Sequence, residues 1–172
     1  MVTFSKSISK NNLLKCFRHI KTKPCKISDK LLGKPITVKH SNKIPGEARA
    51  QTYSNEVLVS DKFLKLTDTM KQHVFTHELG HFLETRLLKN PKDFWLVSDS
   101  GIFGEGKVTR RGAPYFEGIL GTFNTGEAVA EGYATYRLNP TFLKKNHPNV
   151  YNFFREIERG TSVKNAVKKV RR

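Results

Sequence analysis

Apolar residues recur at Met70, Val74, Leu79, Phe82, Leu83 and Leu87 with polar residues between them. That recurrence predicts one long helix with a buried face. Thr67 or Asp68 can cap its start, and Asn90-Pro91 stops it near Lys89. Upstream the period shortens. Ile36-Thr37-Val38 is short and β-branched and reads as a strand, while residues 48–53 and Glu56–Val59, separated by Ser54-Asn55 after the Pro45-Gly46 break, read as a hairpin. Earlier still, Leu13, Leu14, Phe17 and Ile20 predict a short amphipathic helix over residues 11–20, ended by Pro24.

Downstream of the long helix, residues 98–126 are rich in glycine and without period, and read as a long loop that serves as a lid or positions a substrate. Thr125 can cap a second helix over residues 126–138, which Asn139-Pro140 ends. A third helical pattern surrounds Val150, Phe153, Phe154 and Ile157 and stops at Gly160. A small sheet followed by helices predicts an α+β fold in one domain. Its expected parts are a basic N-terminal segment with a short helix (1–34), the main domain (35–160) and a basic C-terminal tail (161–172).

The long helix carries chemistry. Within FTHELGHFLE, His77 and His81 are four apart, so they sit roughly 40° apart in azimuth and one turn along the axis, and both imidazoles can reach one metal ion. Glu78 points to the adjacent flank, where a carboxylate takes a proton from a metal-bound water without being a ligand. That is the pattern of zinc hydrolases. His73 lies one turn before His77, and three histidines at that spacing drift too far along the axis to converge, so His73 is assigned to the surroundings of the site. Gly80 sits inside the helix at a cost of about 1 kcal/mol relative to Ala, which points to close approach of something there, with metal and substrate the candidates.

The second helix supplies what the first lacks. Glu127 and Glu131 share a face, with Ala128, Ala130 and Ala134 small enough to allow close helix packing. Glu127 offers the anionic oxygen that completes two imidazoles and leaves a fourth position for water. Glu131, one turn on, is placed to accept the free ring N–H of a ligating histidine. Residues 101–107 superficially resemble a phosphate-binding loop, but Val108 stands where Ser or Thr is needed to hold magnesium. Nucleotide binding is therefore rejected.

Charge bears on partners. The formal charge of +16 is concentrated between Lys6 and Lys43, where Asp29 is the sole acid, and again from Lys164 to Arg172. These ends are expected to touch nucleic acid without reading its sequence, or to act as a solvated face. Arg110-Arg111 can meet an acidic substrate or mark a nicking site. Cys16 and Cys25 lack the paired spacing of a metal knuckle and are expected to be reduced thiols. No stretch has the apolar length of a membrane span or the h-region of a signal peptide, so no membrane partner is expected.

With both helices in view, the chain resembles zinc metallopeptidases of the gluzincin kind. More narrowly it looks like the catalytic domain of anthrax lethal factor, the related Pro-Pro endopeptidases, and peptidase-like domains of phages and mobile elements. The resemblance rests on HELGH at 77–81 and GEAVAEGYATYRLNP at 126–140 and covers residues 36–157. It implies a zincin-like fold, one catalytic Zn²⁺ on His77, His81 and Glu127, Glu78 as general base, and Glu131 supporting a ligand. Glu84 matches an acidic position that often accompanies the motif. Residues 130–140 are also similar to the corresponding helix of ImmA/IrrE-type regulatory peptidases, which have a shorter gap after the first motif. These families commonly carry a Tyr seven residues before the third ligand, where this chain has Leu120. Tyr115, or else Tyr133, is the replacement expected to aid catalysis at the oxyanion.

The expected function is that of a zinc-dependent endopeptidase acting on a protein or peptide, cytoplasmic, or virion-associated if phage-encoded. The alternative is a basic nucleic-acid-associated or virion protein whose zincin domain is vestigial or structural. Oligomeric state is not indicated by the sequence.

Overall fold

The structure, a computed structural model, describes residues 2–4, 36–104, 106–108, 114–116 and 124–171. The helix expected over residues 11–20, Cys16, Cys25, Arg110, Arg111 and Leu120 lie outside the described residues. The fold is α+β. Its sheet comprises β1 (Val2–Phe4), β2 (Ile36–His40), β3 (Ala48–Gln51) and β4 (Glu56–Val59), in the order β1-β2-β4-β3. β2 runs parallel to both β1 and β4, and β3 closes antiparallel on β4 with Ala50 opposite Val57 and Arg49 opposite Leu58. The expected hairpin is thus present, and it makes β3 the outer strand. Asn55 turns it at φ 53°, a left-handed conformation that Asn tolerates, and its Oδ1 accepts a bond from Arg86.

Alternation decides which face of the sheet is buried. Ile36, Val38, Val57 and Val59 are buried, while Lys39 and Glu56, of the other parity, form an ion pair. Against the buried face lies α2 (Asp68–Leu87), reached through the short α1 (Asp61–Leu64). Thr67 caps α2, its hydroxyl accepting from the Met70 N–H. Phe75, Leu79, Phe82 and Leu83 form the buried stripe, whereas Met70, expected on it, is exposed because it belongs to the first turn, ahead of the packed part.

Asn90-Pro91 does more than end α2. Asn90 caps a further helix, α3 (Pro91–Ser98), with Pro91 in its first turn, where a missing N–H costs nothing. The stretch 98–126, expected as one long loop, is more ordered than that: Ile102 and Phe103 are core residues, and β5 (Gly106–Val108) pairs antiparallel with β6 (Pro114–Phe116), Lys107 opposite Tyr115. Three-residue strands are too short to leave a periodic trace.

The second predicted helix is α4 (Thr125–Leu138), capped by Asn124 rather than Thr125, followed by α5 (Pro140–Asn146) and α6 (Pro148–Glu158). Phe103, Phe153 and Phe154 meet edge to face with ring centroids 5.4–5.9 Å apart. Gly132 makes room for them, since a Cβ there would stand 2.9 Å from Phe103. Residues 161–172, expected as a basic tail, instead form α7 (Val163–Val170), whose Val163, Ala166 and Val167 are buried against the core while its lysines face out. The core therefore extends past residue 160. Eight residues were too few for the 3.6 period to stand out from the charge. Among the described residues no helix is long and apolar enough to cross a membrane.

The closest packing is between α2 and α4. A Cβ on Gly80 would lie 2.6 Å from Ala130 Cα and 2.7 Å from its carbonyl oxygen. The close approach expected at Gly80 is thus that of the α4 backbone, and neither metal nor substrate is required to explain it. Helix propensity alone predicts that Gly80→Ala stabilises by about 1 kcal/mol. The contact predicts the opposite sign, a loss of about 1–3 kcal/mol from overpacking, measurable by urea unfolding; a stabilised variant would show that the two backbones do not meet.

Candidate metal centre

Crossing at Gly80 and Ala130 brings one turn of α4 over one turn of α2. The His77 and His81 rings lie 4.9 Å apart, edge to face, and Glu127 reaches both: its Oε2 is 3.1 Å from His77 Nε2 and its Oε1 3.5 Å from His81 Nε2. Each of the three offers a ligand atom, all within 4.8 Å of one another. Donors bonded to one zinc at about 2.0–2.2 Å stand about 3.3–3.6 Å apart in a tetrahedron. The two contacts to the Glu127 oxygens are close to that edge, the three donors lie within 4.8 Å of one another, and two neutral imidazoles with one carboxylate form a metal-binding donor set. The group could therefore hold a metal ion.

Glu131 supports the cluster from behind. Its carboxylate accepts from His77 Nδ1 at 2.9 Å, the role expected of it, and also bonds His73 Nε2 at 3.0 Å. His73 is accordingly outside the ligand group but joined to it through Glu131. Fixing Nδ1 as a donor leaves Nε2 of His77 directed at Glu127.

Charge is unevenly held among these groups. Burial opposes an imidazolium at His77, yet the hydrogen bonds to Glu127 and Glu131 outweigh it and raise its pKa to about 9. Glu127 is held far below the usual carboxylate range, first by its bond to His77 and then by His81. Glu131 is desolvated, but its bonds to His73 and His77 prevail and lower its pKa. Glu78 moves the other way. It is 8% exposed, and desolvation raises its pKa against the pull of His81, of the Ala50 N–H and of His77.

The sequence carries no direct sign of a bond from Ala50. The main-chain N–H of Ala50, on the edge strand, donates to Glu78 Oε2 at 2.5 Å. A backbone donor leaves no residue-type signature, so the hairpin pattern was the only trace of it. Ala48 and Ala50 line a cleft of about 500 Å³ together with His77, Glu78, His81 and Glu127. Glu84 also lines it; burial raises its pKa, and its carboxyl lies against the first turn of α4, where a Cβ on Gly126 would be 3.5 Å from Glu84 Cδ.

The two tyrosines fare differently. Tyr133 is buried in the core with its ring 6.0 Å from that of Phe154, and it does not line the cleft. Tyr115 lies in β6, which packs against α4, while its side chain lies outside the described residues. No protein-family model matches the chain, and no curated protein matches it.

Metal uptake must displace the proton that His77 carries below about pH 9. The apparent affinity for zinc should therefore rise with pH from 7 toward 9, about tenfold per unit for one proton released. Calorimetry in buffers of different ionisation enthalpy reads the proton count directly. Affinity flat across that window would contradict ligation through Nε2 of His77. Glu131→Ala should weaken zinc binding about 10–100-fold without removing a ligand, as read by competition with a chelator.

Proposed function

We propose that the protein is a zinc-dependent endopeptidase of gluzincin type. The observation that carries this reading is Glu78: a buried carboxyl of raised pKa, lining the cleft next to a His-His-Glu ligand group and bonded to an edge strand. A structural metal site has no use for a desolvated acid beside its open side. A catalytic one needs a group able to take and return a proton near neutral pH.

Zinc, when bound by His77, His81 and Glu127, supplies a Lewis acid that acidifies water and polarises a carbonyl. Glu78 takes the proton from the attacking water and delivers it to the leaving amine. Its raised pKa suits both steps, because the protonated form is not prohibitively costly. Glu131 keeps His77 in the tautomer that presents Nε2. Glu84 lies against the start of α4, the turn that carries Glu127.

The edge strand is suited to hold the substrate. Because the Ala50 N–H turns away from β4, the main-chain groups of Ala48 and the Ala50 carbonyl, of the same parity, also face the open side. An extended peptide can pair with them, as in strand addition, and lie along the line of Glu78.

Glu78→Gln should retain about one zinc per chain by elemental analysis and lose peptide hydrolysis, since Glu78 moves protons and makes no bond to the metal. A variant that cleaves as fast as the parent sinks the assignment. We assign the oxyanion donor to Tyr115. Tyr115→Phe should lower kcat at least about tenfold, with zinc content and KM nearly unchanged; unaltered kcat would leave the metal as the sole electrophile.

A further inference from the structure

Arg49 stands in the middle of the edge strand and lines the cleft. Along β3 the faces alternate: Ala48 and Ala50 are half-buried towards α2, and Arg49 and Gln51 are exposed on the opposite face of the sheet. Across the ladder Arg49 meets Leu58, and Glu56, two residues away along β4 on the same face, is already ion-paired with Lys39. The Arg49 guanidinium has no hydrogen bond or ion pair among the described residues.

Parity puts that guanidinium beside any peptide added to the edge. A peptide pairing with the outward main-chain groups of Ala48 and the outward carbonyl of Ala50 has one residue abreast of Arg49, with its side chain on the same face. Such partners have Cβ atoms about 4.5–5.5 Å apart, where opposite charges attract and like charges repel. The neighbouring Ala50 is the residue through which β3 touches Glu78. At about 3.3 Å per residue, the position abreast of Arg49 therefore falls within about two residues of the bond to be cleaved.

Building on the peptidase reading, we infer that Arg49 is a specificity-determining residue that selects substrates with Asp or Glu at the position abreast of it. The substrate class is an extended peptide acidic next to its scissile bond. The overall charge of +16 works in the same direction at long range, because it raises the encounter rate with acidic chains.

The experiment exposes the zinc-loaded full chain to a randomised peptide mixture and reads the products by mass spectrometry. Asp and Glu should be enriched about three- to fivefold at one position within about two residues of the cleaved bond. Arg49→Glu should transfer the preference at that same position to Lys and Arg, and Arg49→Ala should flatten it, both with zinc content unchanged. Cleavage without acidic enrichment, or a preference that survives Arg49→Glu, overturns this assignment and leaves the peptidase reading standing. No cleavage by the zinc-loaded parent overturns both.

Discussion

The contact of Gly80 with Ala130 is the constraint on which the remaining geometry depends. Two helix backbones that meet at van der Waals distance have side chains of adjacent turns within reach of one another, and only then can a glutamate on one helix touch both histidines on the other. Any side chain at Gly80 would wedge the helices apart. The Glu127 oxygens stand 3.1 and 3.5 Å from the two imidazoles, so a shift of that kind would act directly on the site. Ala128 and Ala134 extend the small-residue face and are themselves buried.

A second constraint is electrostatic. The chain has 15 acids against 31 Lys and Arg, and three of those acids line one cleft while a fourth, Glu131, lies behind the histidines. Placing carboxyls together is unfavourable unless cations share the space. Here His73 and His77, both with raised pKa values, do so, and the Glu131 carboxylate bonds to each of them. Glu78 and Glu84 are the exceptions, both raised by desolvation, and Glu78 is the one of the two that follows a ligating histidine in the chain and meets the edge strand, where a group that exchanges protons is of use.

How much of this was legible follows from what each feature writes into a sequence. His77, Glu78, His81, Glu127 and Glu131 were legible because helical periodicity converts spacing into direction, and the two helices were long enough to show a period. The partner of Gly80 was not, since a cost in propensity says that something is near without saying what. Asn90-Pro91 reads equally as a stop and as a start, and it is both. The strands β5 and β6 and the eight residues of α7 are shorter than the windows in which a period can be recognised, so glycine content and charge dominate there. Ala50 contributes through an atom that every residue but proline possesses.

The bond from Ala50 to Glu78 also makes the register of the hairpin a matter of chemistry as well as of packing. Successive residues of a strand turn their N–H groups to alternate sides, so a slip of β3 by one position would direct the N–H of Ala50 into β4 and away from Glu78. The same slip would carry Arg49 to the inner face. What prevents it is the turn at Asn55, held in a left-handed conformation and tied to α2 through Arg86. The turn at one end of the cleft thus acts as a gauge block: it sets, in units of one residue, whether the proton-handling group and the strand beside it are in phase.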